Sequence, residues 1–181
     1  MEVAETAPAQ SAREAAFRVL PQADARPYEN CIPLYSLKAA AGQFSGSQSV
    51  EPEAWVVPNG RTRPRKGLFV AQVFGESMNR RIPSGAYCVF RTPVTGSRQG
   101  RVVLVQHRDI SDPDNGGQYT VKIYESAKVA DEDGGWRHLE IRLKPDSTDD
   151  TFEPIVLRGQ SEDEVLVLAE LVEALPGIQV D

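Results

Sequence analysis

The chain has 181 residues, 40% hydrophobic and 25% charged, with 20 Lys/Arg against 26 Asp/Glu and a formal net charge of −6. That length suits one core of ordinary size plus an arm rather than two domains, and two cysteines and two histidines supply neither a disulfide framework nor a zinc spacing, so no metal or cofactor is expected. No run reaches the roughly 18 apolar residues of a membrane span, and Met1 to Gln10 lacks the basic start and apolar core of a secretory signal; a soluble, cytoplasmic protein without membrane contact is expected.

Residues 1–31, rich in Ala, Glu and Pro over most of their length, read as a flexible N-terminal arm. Residues 11–20 have room for one short helix but not for a helix-turn-helix, so no DNA-reading domain is expected. Ile32-Pro33-Leu34-Tyr35-Ser36-Leu37 is an apolar segment fit to pack on a domain. Lys38-Ala39-Ala40-Ala41-Gly42-Gln43-Phe44 follows, a run of small residues leading into Ser45-Gly46-Ser47-Gln48-Ser49, and the two together read as a loop over about residues 37–50. Gly42 permits close approach of another backbone and Ala41 fits a shallow pocket. After the apolar patch Trp55-Val56-Val57-Pro58 come four cations, Arg61, Arg63, Arg65 and Lys66. Without interleaved aromatics they read as a solvated loop rather than a nucleic-acid site. Charge is uneven along the chain: residues 1–110 carry 14 Lys/Arg against 9 Asp/Glu, and residues 111–181 carry 6 against 17.

Residues 68–74 have strand composition, Gly75 permits a bend, and Ile82-Pro83-Ser84-Gly85 turns the chain into a second strand, residues 86–90. Ser77 therefore sits on a turn directly after a strand. Gly-x-Ser there is either a strand-to-turn signal or the seat of a nucleophile, and a serine hydroxyl needs a base. His107 and His138 lie in or beside strands among charged neighbours, and the Gly-x-Ser-x-Gly elbow is absent because position 79 is Asn. Lys122, inside Tyr119-Thr120-Val121-Lys122-Ile123-Tyr124, points to the face opposite Val121 and Ile123. If that face is covered, burial depresses its pKa and supplies a neutral amine; if not, Lys122 is an ordinary solvent-facing or edge-protecting charge.

Further strands are expected over residues 101–107, 118–126, 136–143, 152–157 and 165–173, separated by the turns 96–100, 112–117 and 131–135. Many short strands with little helical periodicity indicate a mainly β fold.

Gly75-Glu76-Ser77-Met78, a following turn and strand, the strand from Gly100, and Thr120-Val121-Lys122, in that order, resemble the LexA-type self-cleaving serine peptidases, which include the UmuD-like proteins. The resemblance spans about residues 32–173. It implies a compact LexA-like fold of several short, mostly antiparallel strands over residues 32–175, with a tail at 176–181. It also implies Ser77 as nucleophile, Lys122 as general base, and cleavage of the chain's own Ala41-Gly42 bond on the loop at 37–50; Ala41 lies 36 residues before Ser77. Leu143-Lys144-Pro145 is similar to the family's Leu-x-Pro segment, and the late strand over 165–173 to one that helps form a homodimer. Gly85-Ala86 stands where the family often has Gly-Asp, and Ile123 where it commonly has Arg. With no DNA-reading half expected, the resemblance favours the UmuD-like arrangement, or a peptidase module cut from, or fused to, something else.

The expected function is thus a Ser/Lys-dyad peptidase that releases residues 1–41 and leaves 42–181, with backbone amides of Glu76 and Ser77 as the oxyanion hole. By the resemblance it is a DNA-damage or stress-linked switch whose activator is a RecA–DNA filament. Two rivals stand beside it. One is a non-catalytic β module whose arm docks on a repressor, polymerase or fused enzyme; the other is a Ser/Lys peptidase acting in trans. Signal peptidases share this chemistry but need a membrane anchor.

Overall fold

The computed structural model describes residues 7–129, 138–160 and 164–177. In chain order these form α1 (Ala7–Ala16), β1 (Phe17–Leu20), β2 (Ile32–Tyr35), α2 (Leu37–Phe44), β3 (Ala54–Pro58), β4 (Leu68–Val73), β5 (Ala86–Arg91), β6 (Val102–Gln106), β7 (Tyr119–Val129), β8 (His138–Lys144), β9 (Ile155–Gln160) and β10 (Leu166–Ala174). The mainly β, LexA-like expectation holds. All ten strands join one sheet in the order β1-β3-β2-β4-β5-β10-β6-β7-β8-β9, antiparallel throughout except for the β2–β4 pair.

The central strands read as continuous apolar runs because both of their faces are covered. Along β4, Phe69, Ala71 and Val73 enter a cluster with Tyr35, Met78, Phe90 and Leu104, while Leu68 and Val70 enter another with Phe17, Ile32, Leu34 and Val56. β6 does the same: Val102 and Leu104 join the first cluster, Val103 and Val105 a third built with Ile141, Leu143 and Leu157. Phe69 stacks between Phe44 (4.7 Å) and Phe90 (5.4 Å), which ties α2 to β4 and β5.

Two expectations need correction. The segment read as a flexible arm holds α1 and, from Ala16, is built into the fold: β1 pairs with β3 from Phe17↔Pro58 to Leu20↔Trp55, and Phe17 is buried edge-on against Tyr87. Asn59 fastens the preceding helix by donating from its side-chain amide to the Glu14 and Ala15 carbonyls. The apolar strand 54–58 has an edge to cover, and the alternation Phe17, Val19 fits it better than it continues a helix.

The second correction concerns the loop expected over 37–50, because Leu37–Phe44 is helical. Ser36 caps the helix, its Oγ accepting from the Ala39 amide at 3.1 Å, and three consecutive alanines have the highest helix propensity of any residue. Leu37, Ala40 and Ala41 form the buried face. Burial of that face on β4 decides the conformation where composition alone suggested a linker.

The late strand is present as β10, yet it lies between β5 and β6, with both edges paired. Each neighbour pairs with about half of it, β6 from Leu166 to Glu170 and β5 from Glu170 to Ala174. Its Glu170 is buried and bonded to two arginines, Arg91 from β5 and Arg101 before β6, the latter at 3.0 Å. Glu173 accepts from the Arg61 and Thr62 amides and the Thr62 hydroxyl, holding the basic loop 59–67 with Arg61, Arg63, Arg65 and Lys66 turned to solvent. The turn expected at 131–135 and the start of the following strand at Trp136 fall outside the described residues.

Candidate active site

The turn that carries Ser77 is fixed at both ends. At its start, the Phe74 backbone exchanges two hydrogen bonds with the Asn115 side chain, N–H to Oδ1 at 3.0 Å and Nδ2 to the carbonyl at 3.1 Å. Gly75 then adopts φ +100° and donates its amide to Ser84 Oγ. A Cβ at that position would lie 2.7 Å from Asp114 Oδ2, so both the backbone angle and the close approach require glycine. After Ser77, Met78 and Ile82 plug into the main core, and the Arg81 and Ile82 amides close on the Met78 carbonyl at 2.9 and 2.8 Å.

The Leu-x-Pro segment clamps the same turn from the side. Asp146 N donates to the Ser77 carbonyl at 2.9 Å, Arg80 N returns a bond to the Asp146 carbonyl, and Asn79 pairs with Thr148 through both ends of its amide. Ser77 Oγ is thereby held on a turn with little freedom. Among the described residues, the Glu76 and Ser77 amides have no backbone partner.

Lys122 comes from β7, opposite Val103 of β6, and is only 7% exposed. Its Nζ lies 2.9 Å from Ser77 Oγ, 2.8 Å from Thr120 Oγ1 and 3.2 Å from the Val121 carbonyl. Burial pushes its pKa below the ordinary lysine value, while the negative charges of Asp112 and Asp114 act in the opposite direction without overcoming it. Of the two readings of this lysine, the solvent-facing one is removed by its burial.

A neutral amine has two N–H donors and one lone pair. The Val121 carbonyl can only accept, and Thr120 Oγ1, whose own proton is directed to Asp112 Oδ2 at 2.7 Å, must also accept. Both N–H donors are then used, and the third direction, toward Ser77, belongs to the lone pair. With the amine neutral, Ser77 Oγ–H faces an acceptor. Such an arrangement can deprotonate a hydroxyl as it attacks a carbonyl.

Ser77 and Lys122 line a cleft of about 210 Å³ with Asp112, Asp114, Phe152 and Ile155. The 109–117 loop, expected from the sequence only as a turn between strands, thus forms one wall. Thr120, Asp112 and Asn115 are the side chains missed in the sequence. Their signals were present: Thr120 shares a strand face with Lys122, and Asp112-Pro113-Asp114-Asn115 is an Asx turn in which Asp112 Oδ1 accepts from the Asp114 and Asn115 amides. His107 is buried, accepts from the Asp109 amide at Nδ1, and does not line the cleft.

Ala41 and Gly42 are not among the residues that line the Ser77–Lys122 cleft. The Ala41 carbonyl accepts from Ser45 N at 3.1 Å, and the Gly42 carbonyl accepts from Gln48 N and from the Ser45 and Ser47 hydroxyls. Ala41 is nonetheless packed in the same core cluster as Met78, the residue after the serine.

Comparison with protein-family models matches residues 33–172 to a family described as Peptidase S24-like. A search of curated proteins returns no match.

Proposed function

The chain belongs to the Peptidase S24-like family of serine peptidases, and from that premise we propose that it is a Ser/Lys-dyad enzyme whose substrate is its own Ala41-Gly42 bond. One observation carries the reading: a lysine buried to 7% exposure, with its amine 2.9 Å from a serine hydroxyl on a rigid turn. A binding module has no use for that pairing, because burying a lysine costs stability and serves no packing purpose.

Neutral Lys122 takes the Ser77 proton as Oγ attacks the Ala41 carbonyl carbon. The oxyanion receives hydrogen bonds from the Glu76 and Ser77 amides. Collapse breaks the Ala41–Gly42 bond, the Lys122 ammonium returns its proton to the departing Gly42 amine, and Ala41 remains as an ester on Ser77. Water, deprotonated in turn by Lys122, hydrolyses the ester. For this sequence the C-terminal end of α2 must first unwind, since the Ala41 carbonyl is bonded to Ser45 N and the Gly42 carbonyl to Gln48 N and two serine hydroxyls. A DNA-damage or stress signal, such as a RecA–DNA filament, would act by favouring the unwound state.

The test is a denaturing mass spectrum after incubation at mildly alkaline pH. Fragments 1–41 and 42–181 are expected from the wild type and none from Ser77→Ala; a cut elsewhere overturns the site. Trans action is the second reading, favoured by the open cleft and the helical Ala41. Cleavage of added Ser77→Ala chain by wild type, faster on concentration, distinguishes it.

A further inference from the structure

Thr120 is wholly buried between the lysine and the 109–117 loop, and its single hydroxyl proton has two conceivable acceptors, the Lys122 lone pair and Asp112. Asp112 is better placed to take it. Its Oδ1 accepts two backbone amides of the loop, and its Oδ2 accepts from Asn115 Nδ2 at 3.1 Å and from Thr120 Oγ1 at 2.7 Å. Four donors converge on four lone-pair directions, so the group is held as an acceptor-only carboxylate.

We propose that Asp112 is the positioning residue of the dyad: by holding the Thr120 proton it obliges Thr120 to accept from Lys122, which turns the amine lone pair onto Ser77. This deepens the Ser/Lys reading and rests on it. Asn115 extends the same role to the other partner, because the side chain that bonds Asp112 also brackets the Phe74 backbone at the start of the serine turn. One loop therefore sets both members, lysine through Thr120 and serine through Phe74. Nothing here requires Asp112 to touch the substrate.

Asparagine at this position cannot reproduce the arrangement, since one of its two terminal atoms is a donor. Placed toward Thr120, the new N–H₂ forces the threonine hydroxyl to reverse and donate to Lys122, in competition with Ser77. Placed toward the loop, it opposes two backbone amides. The charged groups facing the lysine amine are Asp112 and Asp114 from the loop, with Glu153 on the far wall of the cleft; β6 contributes Val103. Removing the Asp112 charge therefore also lowers the pH at which Lys122 titrates.

The experiment is the pH–rate profile of self-cleavage in the full chain, read on denaturing gels, for wild type, Asp112→Asn, Thr120→Val and the double variant. Asp112→Asn is expected to lower the plateau rate about tenfold or more and to move the midpoint to lower pH. In the Thr120→Val background the same change should alter the plateau less than about twofold, because its route to the lysine is already cut. A full effect in that background, or an unmoved midpoint with a loss that follows the fall in Tm, assigns Asp112 to the loop turn alone and overturns the proposal. An independent readout is the Lys122 side-chain ¹³Cε titration in Ser77→Ala. A midpoint lowered by Asp112→Asn supports the arrangement even if the wild-type chain does not cleave itself, and an unchanged one refutes it.

Discussion

Lys122 Nζ and Ser77 Oγ meet at 2.9 Å although 45 positions separate them in the chain, one residue on a strand and the other on a turn clamped by a different segment. Their shared purpose in the proposed mechanism is one proton transfer. Ser77→Ala and Lys122→Ala should each keep the fold and cut the self-cleavage rate by roughly a thousandfold or more, and the double variant should be little slower than either single one. Rates from denaturing mass spectrometry decide; additive losses would separate the two residues.

The depressed pKa of Lys122 has a kinetic and a thermodynamic consequence. Cleavage should accelerate with pH up to a plateau whose midpoint lies below the roughly 10.4 of a free lysine. For stability, the unfolded chain holds the lysine proton between the folded and unfolded pKa values while the folded chain has lost it, so stability rises with pH across that window. Below the folded value the cost of burying the ammonium is fully present. Urea unfolding of Ser77→Ala between pH 6 and 10 should show that rise, and adding Lys122→Met should abolish it. Identical slopes would mean that Lys122 is not perturbed.

Helix α2 opposes cleavage, because the Ala41 carbonyl is hydrogen-bonded inside it. Ser36→Ala removes the N-cap, a loss of about 1 kcal/mol, and should speed self-cleavage about fivefold if unwinding precedes attack. Gly42→Ala strengthens the helix by a similar ~1 kcal/mol and should slow it about as much. The new methyl's tightest neighbour is Gln48 Oε1 at 3.3 Å, at the end of a movable side chain, with Gln48 Cβ at an ordinary 3.7 Å. Initial rates on one gel compare the three chains, and a slower Ser36→Ala would show that the helical state is itself the reactive one.

Gly75→Ala confronts both a φ of +100° and an oxygen 2.7 Å away on Asp114. A loss of about 1–3 kcal/mol is expected from the backbone angle alone, with a Tm fall of about 2–4 °C for each kcal/mol in a chain of this size. Adding Asp114→Ala should relieve the collision and restore part of the loss. Full restoration would assign the whole effect to the carboxylate.

The sequence was most legible where local chemistry and tertiary demand agree. A strand, a glycine bend and a serine, then a lysine alternating with Val121, follow from residue type and period alone. The helical state of Leu37–Phe44 was hidden because alanines followed by Gly and Ser suit a linker equally well, and what decides between them is burial of Ala40 and Ala41 against β4, a contact between distant segments. Phe17–Leu20 was hidden for the same reason, its partner being the unpaired edge of β3. Asp112 stood in an evident turn, but its link to Thr120 depends on how the loop folds back over β7.

β2 lies between β3 and β4, and β1 on the far side of β3, so both strands of the N-terminal piece are interleaved with strands of the remainder. A cut after Ala41 therefore severs the covalent chain without separating its parts. The product would be a nicked protein of two interlocked pieces, single in a native sizing experiment and double under denaturant. Departure of the shorter piece is a second event with its own barrier. It strips Phe17, Ile32 and Leu34 from the core and uncovers three strand edges at once, both of β3 and one of β4. Bond scission would act as a timer, and the newly bared edges as the message, open to any strand able to replace β2.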